Sequence, residues 1–131
     1  MPTTLTIRDE TAGGETIGES VLELLTERIT VRELIRSRVY QEVQDYNLKK
    51  SGVFHGLVQP ADAQQAPKGF KMPKGRQIDW NEQFDAAVDA FVRSRFLILV
   101  GDRQMDNMDD EIVVEPGVCV SFLKIVPLVG G

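Results

Sequence analysis

The most suggestive residues for chemistry stand at the end of this chain, where Gly130 and Gly131 follow the short segment Pro127, Leu128 and Val129. Glycine has no Cβ, so such a tail can thread a narrow channel and adopt backbone angles that other residues avoid. Such a tail is what an enzyme would need if the C-terminal carboxylate were the reacting group. The pattern predicts that Gly131 is the reacting residue, that Gly130 permits close approach, and that residues 127–129 are recognised by a partner.

Other interpretations of the same ending stay open. The two glycines could form a frayed terminus without a role, and Pro127 could simply end a strand by withholding a hydrogen-bond donor. A processing protease could also expose Gly131 by removing residues encoded after it. The functional interpretation is favoured because an apolar strand, residues 118–126, runs directly into the tail.

The remaining candidates for chemistry are better explained as structure. Cys119 lies in an apolar strand, where we expect a buried and inert thiol rather than a nucleophile. His55 has no second histidine or cysteine pair to complete a metal site, so we expect loop packing or exposure. Four acidic residues lack the spacing and central glycine of a calcium loop and predict a solvated turn: Asp106, Asp109, Asp110 and Glu111. We therefore predict no catalytic residue and no metal site.

Composition narrows the class of protein. A chain of 131 residues that is 42% hydrophobic and 27% charged is long enough for one globular domain with a real core. A net charge of −5 argues against a nucleic-acid partner. A single cysteine excludes an internal disulfide. No apolar run reaches transmembrane length and no secretory leader is recognisable, so we expect a cytoplasmic protein without a membrane partner.

Hydropathy patterns predict the elements that must position the tail. Alternation predicts a first strand over residues 5–8 and a returning strand over 20–25. Capping boxes at Thr30 and Asp79 predict two amphipathic helices, which end near Asn47 and Arg95. A wholly apolar run predicts a buried strand over 96–100, and residues 118–126 predict the last strand. Residues 105–115 look irregular and acidic, and a short strand or a turn is expected between the strand over 96–100 and the last strand.

Residues 48–78 differ in character from the rest of the chain. They are basic and rich in glycine and proline, and no periodicity is sustained. A structureless stretch of this length indicates a functional loop or a mobile insertion, and we favour a solvated surface insertion. Five apolar residues could pin parts of it down: Phe54, Leu57, Val58, Phe70 and Met72.

Runs of strands around a packed helix predict an α+β domain. We expect the first and last strands to lie side by side at the centre of a mixed sheet that grasps the first helix. The insertion and second helix, residues 48–95, would interrupt this arrangement.

Residues 3–46 and 96–131 together resemble the ubiquitin-like β-grasp proteins. The hairpin and the Thr30-capped helix match the first half of that family, and Phe96–Gln104 with Val118–Gly131 matches the second. The resemblance implies one β-grasp domain over 1–131, with an inserted loop and extra helix at 48–95 and a flexible tail at 127–131. The end of the chain looks most like the sulfur carriers of molybdopterin and thiamin biosynthesis. The acidic and longer chain looks more like bacterial ubiquitin-like modifiers, and the insertion departs from both.

This resemblance implies a function without catalysis by the chain itself. An activating enzyme would use ATP to adenylate the carboxylate of Gly131. A cysteine thiolate would then take over the acyl group as a thioester, from which it would form an isopeptide bond with an amine of a target protein. Implied partners include a conjugating enzyme and a deconjugating metalloprotease, and an antiviral-defence role is implied for the bacterial modifiers. A sulfur carrier ending in a thiocarboxylate is the alternative. A non-reactive β-grasp interaction module is a further one.

A sheet face carries the partner contact in proteins of this kind. Candidates on and just after the last strand are Ser121, Leu123, Lys124 and Ile125. Leu123 and Ile125 share one face by alternation, whereas Val120 and Phe122 share the other. Both faces carry apolar residues, so alternation leaves open which of them points outward.

Overall fold

The computed structural model describes residues 3–49, 52–66, 69–73, 75–115 and 117–125. Within these ranges the chain is mixed α+β, and its contacts form two compact units, residues 3–34 with 94–125 and residues 35–93. The elements in chain order are β1 Thr3–Thr11, β2 Thr16–Leu24, β3 Arg28–Thr30, α1 Val31–Lys49, β4 Val53–Phe54, β5 Gln64–Ala66, β6 Gly69–Lys71, α2 Trp80–Val92, β7 Phe96–Val100, β8 Arg103–Met105, β9 Glu111–Val113 and β10 Cys119–Lys124.

The first unit is built around a five-stranded sheet with the strand order β2-β1-β10-β7-β8. β1 and β10 run parallel at its centre, with Thr6 opposite Cys119 and Thr11 opposite Lys124. The other neighbouring pairs of this sheet are antiparallel. The predicted adjacency of the first and last strands is therefore confirmed. A separate antiparallel pair joins β3 to β9.

One face of the five-stranded sheet carries the core of this unit. Side chains alternate across a strand, so every second residue of each strand points to that face. The buried set is Leu5, Ile7, Leu22, Leu24, Phe96, Ile98, Met105, Val120 and Phe122. The orientation of β10 is thereby settled, because Val120 and Phe122 point inward. We call the opposite side the outer face.

Short-range hydrogen bonds fix the turn and the helix starts. Gly14 adopts a φ of 88° in the turn between β1 and β2, a backbone conformation that residues with a Cβ rarely adopt. The predicted capping box of α1 is present, because Thr30 Oγ1 accepts from Glu33 N and Glu33 Oε1 accepts from Thr30 N, both at 3.1 Å. At α2, Asp79 Oδ1 accepts from Asn81 N at 2.9 Å. Both predicted helix starts are confirmed.

The second unit corrects the expectation for residues 48–78. Three short strands form an antiparallel sheet in the order β4-β6-β5, and the five apolar residues named for this segment are all at most 8% exposed. Asn47 also donates to the carbonyl of Ile78 and accepts from its N–H, each at 3.0 Å. A structureless, solvated insertion is therefore wrong. Strands of two or three residues are too short to show a period of two, so the hydropathy pattern did not predict them.

The acidic stretch also holds more regular structure than expected. β8 ends at Met105, and β9 covers Glu111–Val113. Ile112 is 1% exposed and lies opposite Ile29 of β3. An irregular course is therefore wrong for Glu111–Val113, where the short strand that the sequence left open is observed.

Candidate functional site

The predicted reacting end lies outside the described residues. Gly131 and Gly130, and the recognition segment Pro127, Leu128 and Val129, belong to residues 126–131, so their roles stay predictions. The structure does describe the point from which this tail departs.

The departure point is held by the sheet on both sides. Lys124, the last residue of β10, lies opposite Thr11 of β1 and Phe96 of β7. One residue further, the N–H of Ile125 donates to the carbonyl of Arg95 at 3.1 Å. A central strand with two neighbours has little freedom to swing away from the sheet. Lys124 is therefore held between the end of β1 and the start of β7, and Ile125 is bonded beside it.

The outer face presents a half-buried, partly apolar surface on the strands next to this point. Leu123 lies opposite Leu97, and one step along β10, Ser121 lies opposite Leu99. These four side chains are neither fully buried nor fully exposed. The surface thus combines leucines with a hydroxyl and leads along β10 toward the tail.

The four partner-surface residues predicted from sequence do not form one set. Ser121 and Leu123 lie on the outer face, and Ile125 just beyond the strand is 41% exposed. Lys124 alternates to the side of Phe122, because it follows that residue at a spacing of two. The sequence reasoning missed Leu97 and Leu99. The uninterrupted apolar run of 96–100 could have indicated them, since alternate residues of such a strand must face both sides.

Cys119 departs from its expected place in the core. It is half-buried and lies opposite Thr6, which points to the outer face. The apolar neighbours Val118 and Val120 suggested burial, but a strand residue shares its face with positions two away and not with its direct neighbours. The thiol therefore belongs to the same face as Ser121 and Leu123.

The other residues weighed for chemistry take structural positions. His55 is exposed just after β4. Asp110 Oδ2 accepts from the N–H groups of Asp106 and Asn107 at 3.1 Å each. Asp109 Oδ1 lies 3.7 Å from Nη2 of Arg32. The acidic segment thus closes on itself as a turn, as predicted. Across the described ranges, no three His, Cys, Asp or Glu side chains come close enough together to hold a metal ion.

Neither α1 nor α2, the helices of the described part, is long and apolar enough to cross a bilayer. In comparisons with known proteins, no family model, no curated protein and no solved structure matches this chain.

Proposed function

We propose that this chain is a ubiquitin-like β-grasp modifier whose Gly131 carboxylate is adenylated by an activating enzyme, passed on as a thioester and joined to an amine of a target protein. The observation that carries the proposal is the position of β10. This strand lies parallel to β1 at the centre of the sheet and leads directly into the Gly-Gly tail.

The order of elements supports the β-grasp assignment. A hairpin, β1 and β2, is followed in the chain by a capped helix and later by β7 and β10. In the sheet order β2-β1-β10-β7-β8, the first and last strands of the chain, β1 and β10, lie side by side. The strand pattern likewise predicted a mixed sheet with the first and last strands side by side at its centre.

The fixed origin of the tail supports the proposed chemistry. An activating enzyme must bring a carboxylate to the α-phosphate of ATP, and a tail with a fixed origin loses less conformational entropy in that step than one on a mobile segment. The bond from Ile125 N–H to Arg95 sets this origin. Glycine at both final positions would then let the backbone approach the nucleotide closely.

The outer face supports docking of the same enzyme. Leu97, Leu99 and Leu123 offer apolar area, and Ser121 offers a hydroxyl beside them. Burying a half-exposed leucine against a partner is favourable at about 25 cal/mol per Å² of apolar surface, before the costs of association are subtracted. We expect Leu123→Asp to weaken activation without altering the tail.

A second candidate is a sulfur carrier, which the apolar segment Pro127, Leu128 and Val129 favours. The adenylate at Gly131 would be attacked by a persulfide instead of a cysteine thiolate. Reductive release of the resulting acyl disulfide, by a second thiol, would leave a C-terminal thiocarboxylate. Both candidates share the first step and differ in the product.

Mass spectrometry on N-terminally tagged protein from its native host tests both candidates. The intact mass first establishes whether Gly131 carries a free carboxylate, as translated or after processing. Trypsin should then cut after Lys124 and leave residues 125–131 on any lysine to which the carboxylate has been joined. That branch on another protein supports the modifier. Replacement of a terminal oxygen by sulfur supports the carrier and overturns the modifier.

A matched pair of glycine variants separates tail chemistry from general damage. Gly131→Ala adds one Cβ at the reacting end, and we expect it to lower conjugate formation at least about ten-fold. Gly13→Ala adds the same Cβ in the hairpin turn, where it would meet only Thr11 Oγ1 at 3.8 Å. Equal conjugate levels in both variants and wild type would contradict the proposal. A chain whose tail stays unmodified under every condition would be a non-reactive interaction module.

A further inference from the structure

The negative charge of this protein is concentrated in its first hairpin. Between residues 3 and 24, the two strands and their turn, the chain holds five carboxylates and one arginine, a net charge of −4 out of −5 for the whole chain. The acidic residues are Asp9, Glu10, Glu15, Glu19 and Glu23. The remaining residues together contribute only −1. The single arginine, Arg8, already contacts Glu19, with Nε 3.3 Å from Oε2.

The same hairpin supplies a long edge to the sheet. Among the described residues β2 pairs with β1 alone, so its other side is open over Thr16–Leu24. Alternate residues of an edge strand direct their N–H and C=O groups away from the sheet, and these groups can pair with another extended chain. Edge strands are commonly protected by being short, and this one is nine residues long.

The side chains along this edge define two different faces. Glu19, Val21 and Glu23 lie on the outer face, opposite Arg8, Thr6 and Thr4 of β1, and all three are exposed. Val21 is 54% exposed. On the other face, Leu22 and Leu24 are buried at 4% and 5%. A chain added at this edge would thus meet carboxylates on one side and apolar residues on the other.

We propose that the open edge of β2 binds a basic, extended segment of a partner protein by strand addition. Backbone hydrogen bonds to β2 would supply affinity, and alternating side chains would supply specificity. Lysine or arginine at every second position would lie beside Glu19 and Glu23, and apolar residues between them would extend the core face beyond Leu22. An acidic partner segment would be repelled by the net charge of −4 in the hairpin.

This site does not depend on the tail. It uses neither Gly131 nor the outer-face leucines of β7 and β10, so it can exist whether or not the chain is a modifier. An inactive tail would leave the edge unchanged, and a blocked edge would leave the terminal carboxylate intact.

The test uses full-length ¹⁵N-labelled protein and the acetylated, amidated peptide Lys-Val-Lys-Val-Lys-Val-Lys. Titration at low salt should shift the amide resonances of residues 16–24 and slow their hydrogen exchange. The matched peptide with glutamate at every lysine position should bind at least about ten-fold more weakly. Shifts located elsewhere, or equal binding of the two peptides, would overturn the proposal.

Two methylated peptides test whether backbone hydrogen bonds are used. One carries N-methyl groups on the lysine amides and the other carries them on the valine amides. An added strand pairs with β2 through the N–H groups of alternate residues only, so one peptide should lose binding and the other should keep it. If both methylated peptides bind, attraction between charges alone explains the binding, and the proposal of strand addition is wrong.

Charge reversal on the protein completes the test. Glu23→Lys should weaken binding of the basic peptide at least about three-fold. The control Asp85→Lys makes the same change of charge on the exposed side of α2 and should change binding by less than that. Circular dichroism confirms that each variant is folded. Equal weakening by both variants would mean that only the overall charge of the protein matters.

Discussion

Phe122 is a residue on which the sheet of the first unit depends. Its side chain is 0% exposed and packs against Phe96 of the neighbouring strand, with ring centroids 5.7 Å apart. Removing a buried phenylalanine ring loses its transfer free energy and leaves a cavity. We expect Phe122→Ala to lower the free energy of unfolding by about 3–5 kcal/mol, measured by urea denaturation.

The neighbouring residue provides the control. Leu123 lies on the outer face and is only half-buried. Leu123→Ala should cost about 1 kcal/mol, because the side chain has less apolar surface to lose from a buried state. Comparable losses for the two variants would contradict the assignment of the inner and outer faces of β10.

Arg38 and Glu42 form a nearly buried ion pair on α1. Arg38 Nε lies 3.2 Å from Glu42 Oε2, their side chains are 7% and 16% exposed, and Glu42 Oε1 accepts from the N–H of Leu57 at 3.3 Å. Removing the negative charge leaves a buried guanidinium less well compensated. We expect Glu42→Gln to destabilise the protein by about 3 kcal/mol in thermal or urea unfolding.

An exposed pair with the same spacing serves as the reference. Arg93 Nε and Asp89 Oδ1 are also 3.2 Å apart, but both side chains are more than half exposed. Asp89→Asn should cost less than about 0.5 kcal/mol, because water screens this pair. If Glu42→Gln were as mild as Asp89→Asn, burial would not be what makes the first pair matter.

At the scale of elements, α1 depends on its first turn. Thr30 and Glu33 satisfy each other's backbone N–H groups. Thr30→Ala removes one acceptor from the start of the helix, and we expect a loss of about 1 kcal/mol in the free energy of unfolding. Thr30→Ser keeps the hydroxyl and should retain most of that stability. A serine variant as unstable as the alanine variant would show that the hydroxyl bond is not the cause.

How well an element could be predicted depended on whether its pattern was long enough to read. Strand β7 was predicted with its observed bounds because residues 96–100 are apolar without interruption. The helix starts followed from side chains that cap locally, Thr30 and Asp79. The strands of the second unit were missed because β4 has two residues and β5 and β6 have three. No alternation can be recognised over so few positions.

At the scale of the molecule, charge is distributed unevenly, and this predicts a salt effect. Like charges in the hairpin repel when ionic strength is low. Raising the salt concentration from about 0.01 M to about 0.15 M shortens the Debye length from about 30 Å to about 8 Å. We expect the free energy of unfolding to rise by roughly 0.5 kcal/mol across this range.

A pair of neutralising variants locates the source of that effect. Glu23→Gln removes one hairpin carboxylate and should reduce the gain in stability with salt. Asp85→Asn removes a carboxylate from α2 and should leave the gain unchanged. Both are read from urea unfolding at the two salt concentrations. A salt effect that falls equally in both variants would point to the total charge instead.

The candidate site could be predicted only in part from the sequence. The tail residues that suggested the chemistry, Gly130 and Gly131, lie outside the described residues. The strand leading to them was predicted, and its place beside β1 is confirmed. Cys119 was expected to be buried because its direct neighbours are apolar, but it is half-buried on the outer face. The excess of carboxylates in the hairpin could be counted from the sequence. That these carboxylates lie along an open edge became known only when the structure showed β2 at the edge of the sheet.

The parallel pairing of β1 with β10 also has a consequence for biosynthesis. Thr6 and Cys119 come from nearly opposite ends of the chain, so the centre of the sheet cannot close until β10 has left the ribosome. Contacts this distant in sequence slow folding, because a large loop must close before they form. Until then β1 and β7 each lack a neighbour, and unpaired strands on a nascent chain are prone to aggregate. We therefore expect truncations within residues 119–124 to accumulate as insoluble or rapidly degraded chains.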